Sequence, residues 1–215
     1  MFQGFSPETI DFLWGIRFNN NRDWFEAHKT AYVEHLYNPM KALGQEVFAD
    51  FRDIPGLALK VSRIYRDARL HPDTLYKESL WLCIRREVDS WSQHPALFFE
   101  IRPEGASYGF LLWQPRAAAM EAFRRDLEVR PQGFPRLLEQ VQATAGIPLT
   151  ARCYRRPKPA PDPALLPYYG WKDNLEAAVS VPAGPGLYGK ELAGQVRRAL
   201  KALLPLHTYF QALTL

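Results

Sequence analysis

Three arginines within seven residues, Arg63, Arg66 and Arg69, with one acid, Asp67, among them, are where chemistry would concentrate in this chain. A guanidinium keeps its charge at any accessible pH and presents a planar fork of donors that fits a carboxylate or a phosphate. Leu57, Leu59 and Val61 alternate as one face of a strand, and continuing that row puts Arg63 where a core residue would go. An unpaired buried charge is strongly destabilising, so an acceptor must meet it. Two answers stand: a carboxylate of the protein itself, such as Glu100 or Asp23, or a ligand phosphate or carboxylate gripped bidentately. Lys77 is near enough in sequence to extend a ligand site to Arg63, Arg66, Arg69 and Lys77. Asp67 is the candidate for orienting one arginine or acting as a base.

Other patterns carry less. "GPGLYGKE", 184–191, matches a phosphate-loop spacing, but Glu191 stands where a magnesium-holding Ser or Thr is needed and Pro185 removes a backbone donor. It reads as a glycine-rich turn from strand to helix. The five histidines form no H-x-H or H-x-x-x-H pair, and no metal site is expected. His28 and His35, seven apart, share one helix face and read as packing or solvent-facing groups. Cys83 and Cys153 fall in strand-like apolar segments, where cysteine behaves as a small hydrophobe. A second basic run, Arg152, Arg155, Arg156 and Lys158, lies near Tyr154, Tyr168, Tyr169 and Trp171; it reads first as a solvated loop, with base stacking as the functional alternative.

The elements that must position these groups are helices first. Ser6, Pro7 and Glu8 give a capping hydroxyl, a proline at the first helical position and an acid at the positive helix end. Asn21 can cap a second helix, Pro39 restarts the pattern, and "DIPG" at 53–56 closes it. Strands follow at 57–66, 79–86, 96–102 and 107–113, the last two as a hairpin around "PEGA". Two helices at 116–129 and 135–145, strands at "LTARCYRR" and "NLEAAVSV", and a helix from Lys190 to Leu204, ended or kinked by Pro205, complete the order. The proline-rich segment 155–173 reads as an irregular connection, either functional or a strap over the core. Helices, a run of strands with a hairpin, then more helices predict an α+β fold: N-terminal helices on a mostly antiparallel sheet of five to six strands, with further helices C-terminal. One domain over 1–215 is expected, helical over 1–55 and sheet-containing over 56–215.

The 215 residues are 47% hydrophobic and 23% charged, with a net charge of +4. That is enough apolar content for a core and a mild positive excess, compatible with an anionic partner without requiring one. The first residues lack the basic-then-apolar order of a signal peptide, and no apolar run approaches the roughly 20 residues a membrane span needs. A soluble, cytoplasmic protein without a cofactor is the expectation.

"NNNRDWF" and "RIYRDARLHPDTLYK" resemble the family catalogued as domain of unknown function 2461. Asn19, Asn20, Trp24 and Phe25 match its first motif, Arg63, Arg66, Asp67 and Arg69 its second, and Asp73, Tyr76 and Lys77 part of its third. Leu70, Thr74 and Leu75 replace a phenylalanine, a lysine and a proline of the family pattern, which marks a divergent member. The resemblance implies an α+β fold and supplies no activity. Three readings follow: a module binding a phosphate-bearing ligand, nucleotide or nucleic acid through the arginine segment; an enzyme on an anionic substrate using Asp67; or a non-catalytic interaction protein with internal arginine ion pairs.

Overall fold

The structure, a computed structural model, describes residues 1–67, 69–71, 74–156 and 159–214. Asp73 of the third motif and Lys158 of the basic run lie outside the described residues.

Helix α1 (Pro7–Phe18) begins at the proline, with Glu8 in its first turn and the Ser6 N–H donating to Thr9 Oγ1 (3.1 Å). Asn21 caps α2 (Arg22–Ala27) by accepting from the Trp24 N–H at 2.9 Å. Then α3 (Lys29–Ala31), a π-helical turn (Tyr32–Tyr37) and α4 (Asn38–Phe48) follow one another without a break. Pro39 therefore does not restart the helix; it sits inside a continuous run. Its missing N–H leaves the carbonyl of His35, four residues back, without the usual donor. The hydroxyl of Thr9, fully buried on α1, donates to that carbonyl instead.

Strands β1 (Leu57–Val61), β2 (Leu80–Arg86), β3 (Ala96–Arg102), β4 (Gly105–Leu112), β5 (Thr150–Cys153) and β6 (Trp171–Pro182) form, among the described residues, one six-stranded antiparallel sheet in the order β1-β2-β3-β4-β6-β5. Gly105 opens β4 with φ +148°, and a Cβ there would strike the carbonyl oxygen of Val181. Helices α5 (Ala117–Val129) and α6 (Gly133–Ala145) fall where their apolar spacing predicts. The proline-rich segment carries a short helical turn, α7 (Leu166–Tyr169), and its end, Trp171–Asp173, already belongs to β6.

After the turn α8 (Pro185–Tyr188), α9 runs from Glu191 to Leu213 with Pro205 inside it. The expected stop at Leu204 does not occur. An internal proline costs about 3 kcal/mol, whereas each fully buried Leu or Phe contributes about 1.5–3 kcal/mol. Leu206 and Phe210, both within 1% of complete burial beyond the proline, outweigh it.

The chain forms two compact units. One comprises Met1–Ile84, Phe98–Tyr108 and Ser180–Arg198, with Phe5 stacked on Phe99 (5.7 Å) and Leu13, Ile16, Leu36 and Met40 fully buried. The other comprises Arg85–Leu97, Gly109–Val179 and Ala199–Leu215, built on Phe123, Phe134, Trp171 and Phe210 in mutual contact. Among the described residues no helix is long and apolar enough to cross a membrane.

Candidate functional site

The arginine segment does not continue β1. At Ser62 the ladder changes: the Ser62 N–H donates to the Trp81 carbonyl (2.8 Å), and the Trp81 N–H donates to the Ser62 hydroxyl (3.0 Å) rather than to a backbone carbonyl. The alternation slips by one residue. Ser62 and Ile64 turn inward, 3% and 0% exposed, and Arg63 turns out to solvent. The expectation that Arg63 occupies a core position is thus overturned, and Glu100 and Asp23 are not needed to neutralise it. Its backbone carbonyl is used, accepting from Lys77 Nζ.

Pairing then resumes as a second antiparallel contact. Tyr65 bridges Tyr76, the Arg66 N–H donates to the Leu75 carbonyl (2.9 Å) and the Lys77 N–H to the Ile64 carbonyl (2.7 Å). The asparagine turn after α1 clamps this pair. Asn20 accepts from the Tyr76 N–H and donates to the Tyr76 carbonyl, both at 2.9 Å, and Arg66 Nε donates to that same carbonyl at 2.9 Å. Phe25, fully buried, stacks on Tyr76 at 4.3 Å and meets Tyr65 edge-on. Trp24 lies so close to Gly15 that a side chain there would strike the indole.

This clamp presents Arg66 and Lys77 to a polar cleft of about 240 Å³, whose lining also includes Arg17, Glu78, Ser79, Glu100 and Arg102. Its acids are already engaged. Arg17 Nε donates to Glu78 at 2.8 Å while its terminal nitrogens hold Glu104. Glu100 accepts from Ser79 (2.7 Å) and from Arg102 (2.6 Å). Arg66 and Lys77, both half-buried, have backbone partners but no carboxylate partner among the described residues. Burial first, then the positive charges of Arg63 and Arg66, depress the Lys77 pKa. One side of the cleft is paired; the other holds positive charge that the described chain leaves unneutralised.

A family model described as "conserved hypothetical protein (DUF2461)" matches residues 8–209. The chain belongs to that family. Compared with curated proteins, it matches none. Within this DUF2461 chain one residue or more of each motif meets the others: Asn20 and Phe25 hold Tyr76, and Tyr76 holds Arg66.

Of the site residues predicted from sequence, the cleft brings together Arg66 and Lys77. Arg63 stays outside the lining, acting through its charge and its carbonyl. Asp67 and Arg69 pair with each other instead (Nε to Oδ1 2.9 Å, Nη2 to Oδ2 2.6 Å), with the Arg69 side chain 89% exposed. The hydrogen bonds from Arg69 lower the Asp67 pKa, which weakens it as a base. Arg17, Glu78, Ser79 and Arg102 were missed. Glu100 and Arg102 were legible as same-face neighbours on one strand, and Arg17 as a cation closing an apolar helix just before the asparagine turn.

The remaining candidates resolve otherwise. Arg152 is bound bidentately by Asp173, and Trp171 and Tyr169 are buried at 7% and 5% exposure, so their faces are not offered to bases. The "GPGLYGKE" turn is covered by the N-terminal segment: the Phe5 N–H donates to the Leu187 carbonyl at 3.0 Å, and Gly4 packs against Tyr188. His28 stacks on Trp24 at 3.9 Å. Cys83 is buried as expected, whereas Cys153, on the edge strand β5, is exposed.

Among the described residues the buried permanent cation is Arg124, at 3% exposure. It donates to the carbonyls of Tyr169 (3.3 Å), Met120 (3.3 Å) and Trp171 (2.7 Å) and to Glu121 (3.0 Å). The proline-rich connection is in this respect a strap, with its end tied down by one guanidinium.

Proposed function

We propose that the protein binds a phosphate-bearing ligand in the cleft of the first unit, with Arg66 and Lys77 as its charged contacts. The observation that carries this reading is that these two cations face the cleft without a carboxylate partner among the described residues, while every acid of the lining bonds another group. A bound phosphate restores the balance and accepts charge-assisted hydrogen bonds from both.

Arg17 adds a preference for an aromatic group on the same ligand. Its guanidinium lies over Trp14 at 4.8 Å, and Trp14 stacks on Phe18, a residue 74% exposed. A nucleotide or single-stranded nucleic acid offers both a phosphate and a stacking face.

Thermal-shift measurements with inorganic phosphate, pyrophosphate, nucleoside phosphates and short oligonucleotides test it. Stabilisation that weakens with salt is expected. Arg66→Gln or Lys77→Gln lowers affinity by about ten- to 150-fold, the loss of one charge-assisted hydrogen bond of about 1.5–3 kcal/mol. Indifference of wild type to every polyanion in the set refutes the reading.

A further inference from the structure

A cavity of about 290 Å³ in the second unit is lined by Gln93, His94, Arg116, Arg125 and Thr214, with three alanines of α5 leaving it room. Its composition differs from the first cleft in one respect: among the described residues, no carboxylate side chain lines it. Arg116 Nε is held by Gln93, which orients the guanidinium without neutralising it. Arg125 makes no ion pair among the described residues.

Positive charge continues behind this wall. Arg85 and Arg86, the last residues of β2, are half-buried, and Arg85 donates to the Arg86 carbonyl at 2.7 Å rather than to an acid. Burial, Arg116, Arg85 and Arg86, in that order, depress the His94 pKa.

The polar atoms here are also incompletely used. Among the described residues, His94 Nδ1 and Arg85 Nε are buried without a hydrogen-bond partner. Next to them, His207 bonds the backbone of Pro95, the residue after His94, and its Nε2 is orphaned at 3% exposure. Gln211, one turn further along α9, has both amide atoms orphaned at 5% exposure. Buried polar groups in folded proteins are nearly always paired, and of these orphans it is His94 that lines the cavity, where a polar guest would find it.

We propose that this cavity is a second anion site, taking a compact oxyanion of the phosphate or pyrophosphate kind, with Arg116 and Arg125 as its arms and His94 on its wall. A tetrahedral oxyanion is small enough for the space, accepts from two guanidinium forks at once and leaves oxygens for the imidazole N–H. The site belongs to the second unit and shares no lining residue with the cleft of the first.

The experiment is a titration of wild-type protein with inorganic pyrophosphate, following histidine imidazole resonances by NMR. The His94 signal is identified by its loss in His94→Gln. A saturable shift of that signal is expected, with affinity reduced at least about fivefold in Arg116→Gln and in Arg125→Gln, since each removes a charged contact. Lys77→Gln leaves the shift unchanged. A His94 resonance that stays still at millimolar pyrophosphate overturns the proposal. So does a shift that survives both arginine substitutions, because the anion then sits elsewhere. Both guanidinium groups are on exposed residues, so these variants keep the fold.

Discussion

Replacing Arg124 by Met removes the one guanidinium that ties the end of the proline-rich strap to α5. Met keeps most of the side-chain volume, so the cavity contribution is small. What is lost is the donor set: the Tyr169 and Trp171 carbonyls depend on Arg124 Nε and Nη2 at 3.3 and 2.7 Å. A buried acceptor stripped of its donor costs about 1–3 kcal/mol, and two of them sum to about 2–6 kcal/mol. The Met120 carbonyl, 3.3 Å from Nη1, is within the helix and adds little, and Glu121 is half-exposed and regains water. The assay is urea denaturation followed by tryptophan fluorescence, for which Trp171 is a local reporter. Arg124→Lys is the companion variant: it restores a charge but not the planar fork, and falls between Met and wild type. If Arg124→Met unfolds within about 0.5 kcal/mol of wild type, the range of ordinary surface substitutions, the guanidinium is not what secures the strap and the reasoning fails.

One further prediction concerns a proton. Burial holds the His207 imidazole down to about 4, the positive Arg86 adding to this and the bond to the Pro95 backbone opposing it. The unfolded chain, with an ordinary value near 6.5, binds the extra proton first. Stability from this group is therefore complete above about pH 6.5 and is lost as pH falls toward 4, on the order of 3 kcal/mol in all. Urea unfolding of wild type and His207→Gln at pH 7, 6, 5 and 4.5 measures it; parallel curves would show that His207 is not buried neutral. Asp67→Asn, by contrast, leaves stabilisation by pyrophosphate unchanged in the same thermal-shift assay, because Asp67 bonds Arg69 outside the cleft; a marked loss places Asp67 in the ligand site.

How much of this was legible in the sequence depends on the range over which each residue acts. Strand and helix positions follow from local apolar spacing, and the α+β order was readable because periodicity changes from helical to alternating at 57 and back after 113. Pro39 and Pro205 misled because proline is a local penalty overridden by distant partners: the Thr9 hydroxyl for one, the burial of Leu206 and Phe210 for the other. Arg63 misled because alternation was extrapolated past Ser62, and one hydroxyl standing in for a carbonyl inverted every later side chain in the row.

The premise behind the Arg63 expectation, that this fold buries a permanent charge and must supply its acceptor, was nevertheless sound for a different residue. Arg124 sits four residues after Met120 and three before Leu127, inside the apolar stripe of an otherwise regular helix. That spacing alone gives it away: a cation on the buried face of a helix needs acceptors that the helix itself cannot provide. A guanidinium satisfied wholly by carbonyls and a carboxylate is a tie. One that reaches a cleft or a cavity without an ion-pair partner among the described residues, as Arg66, Arg116 and Arg125 do, is what the proposed sites rest on. The division between the two kinds is set by partners far away in sequence, and it separates the strap from the proposed sites.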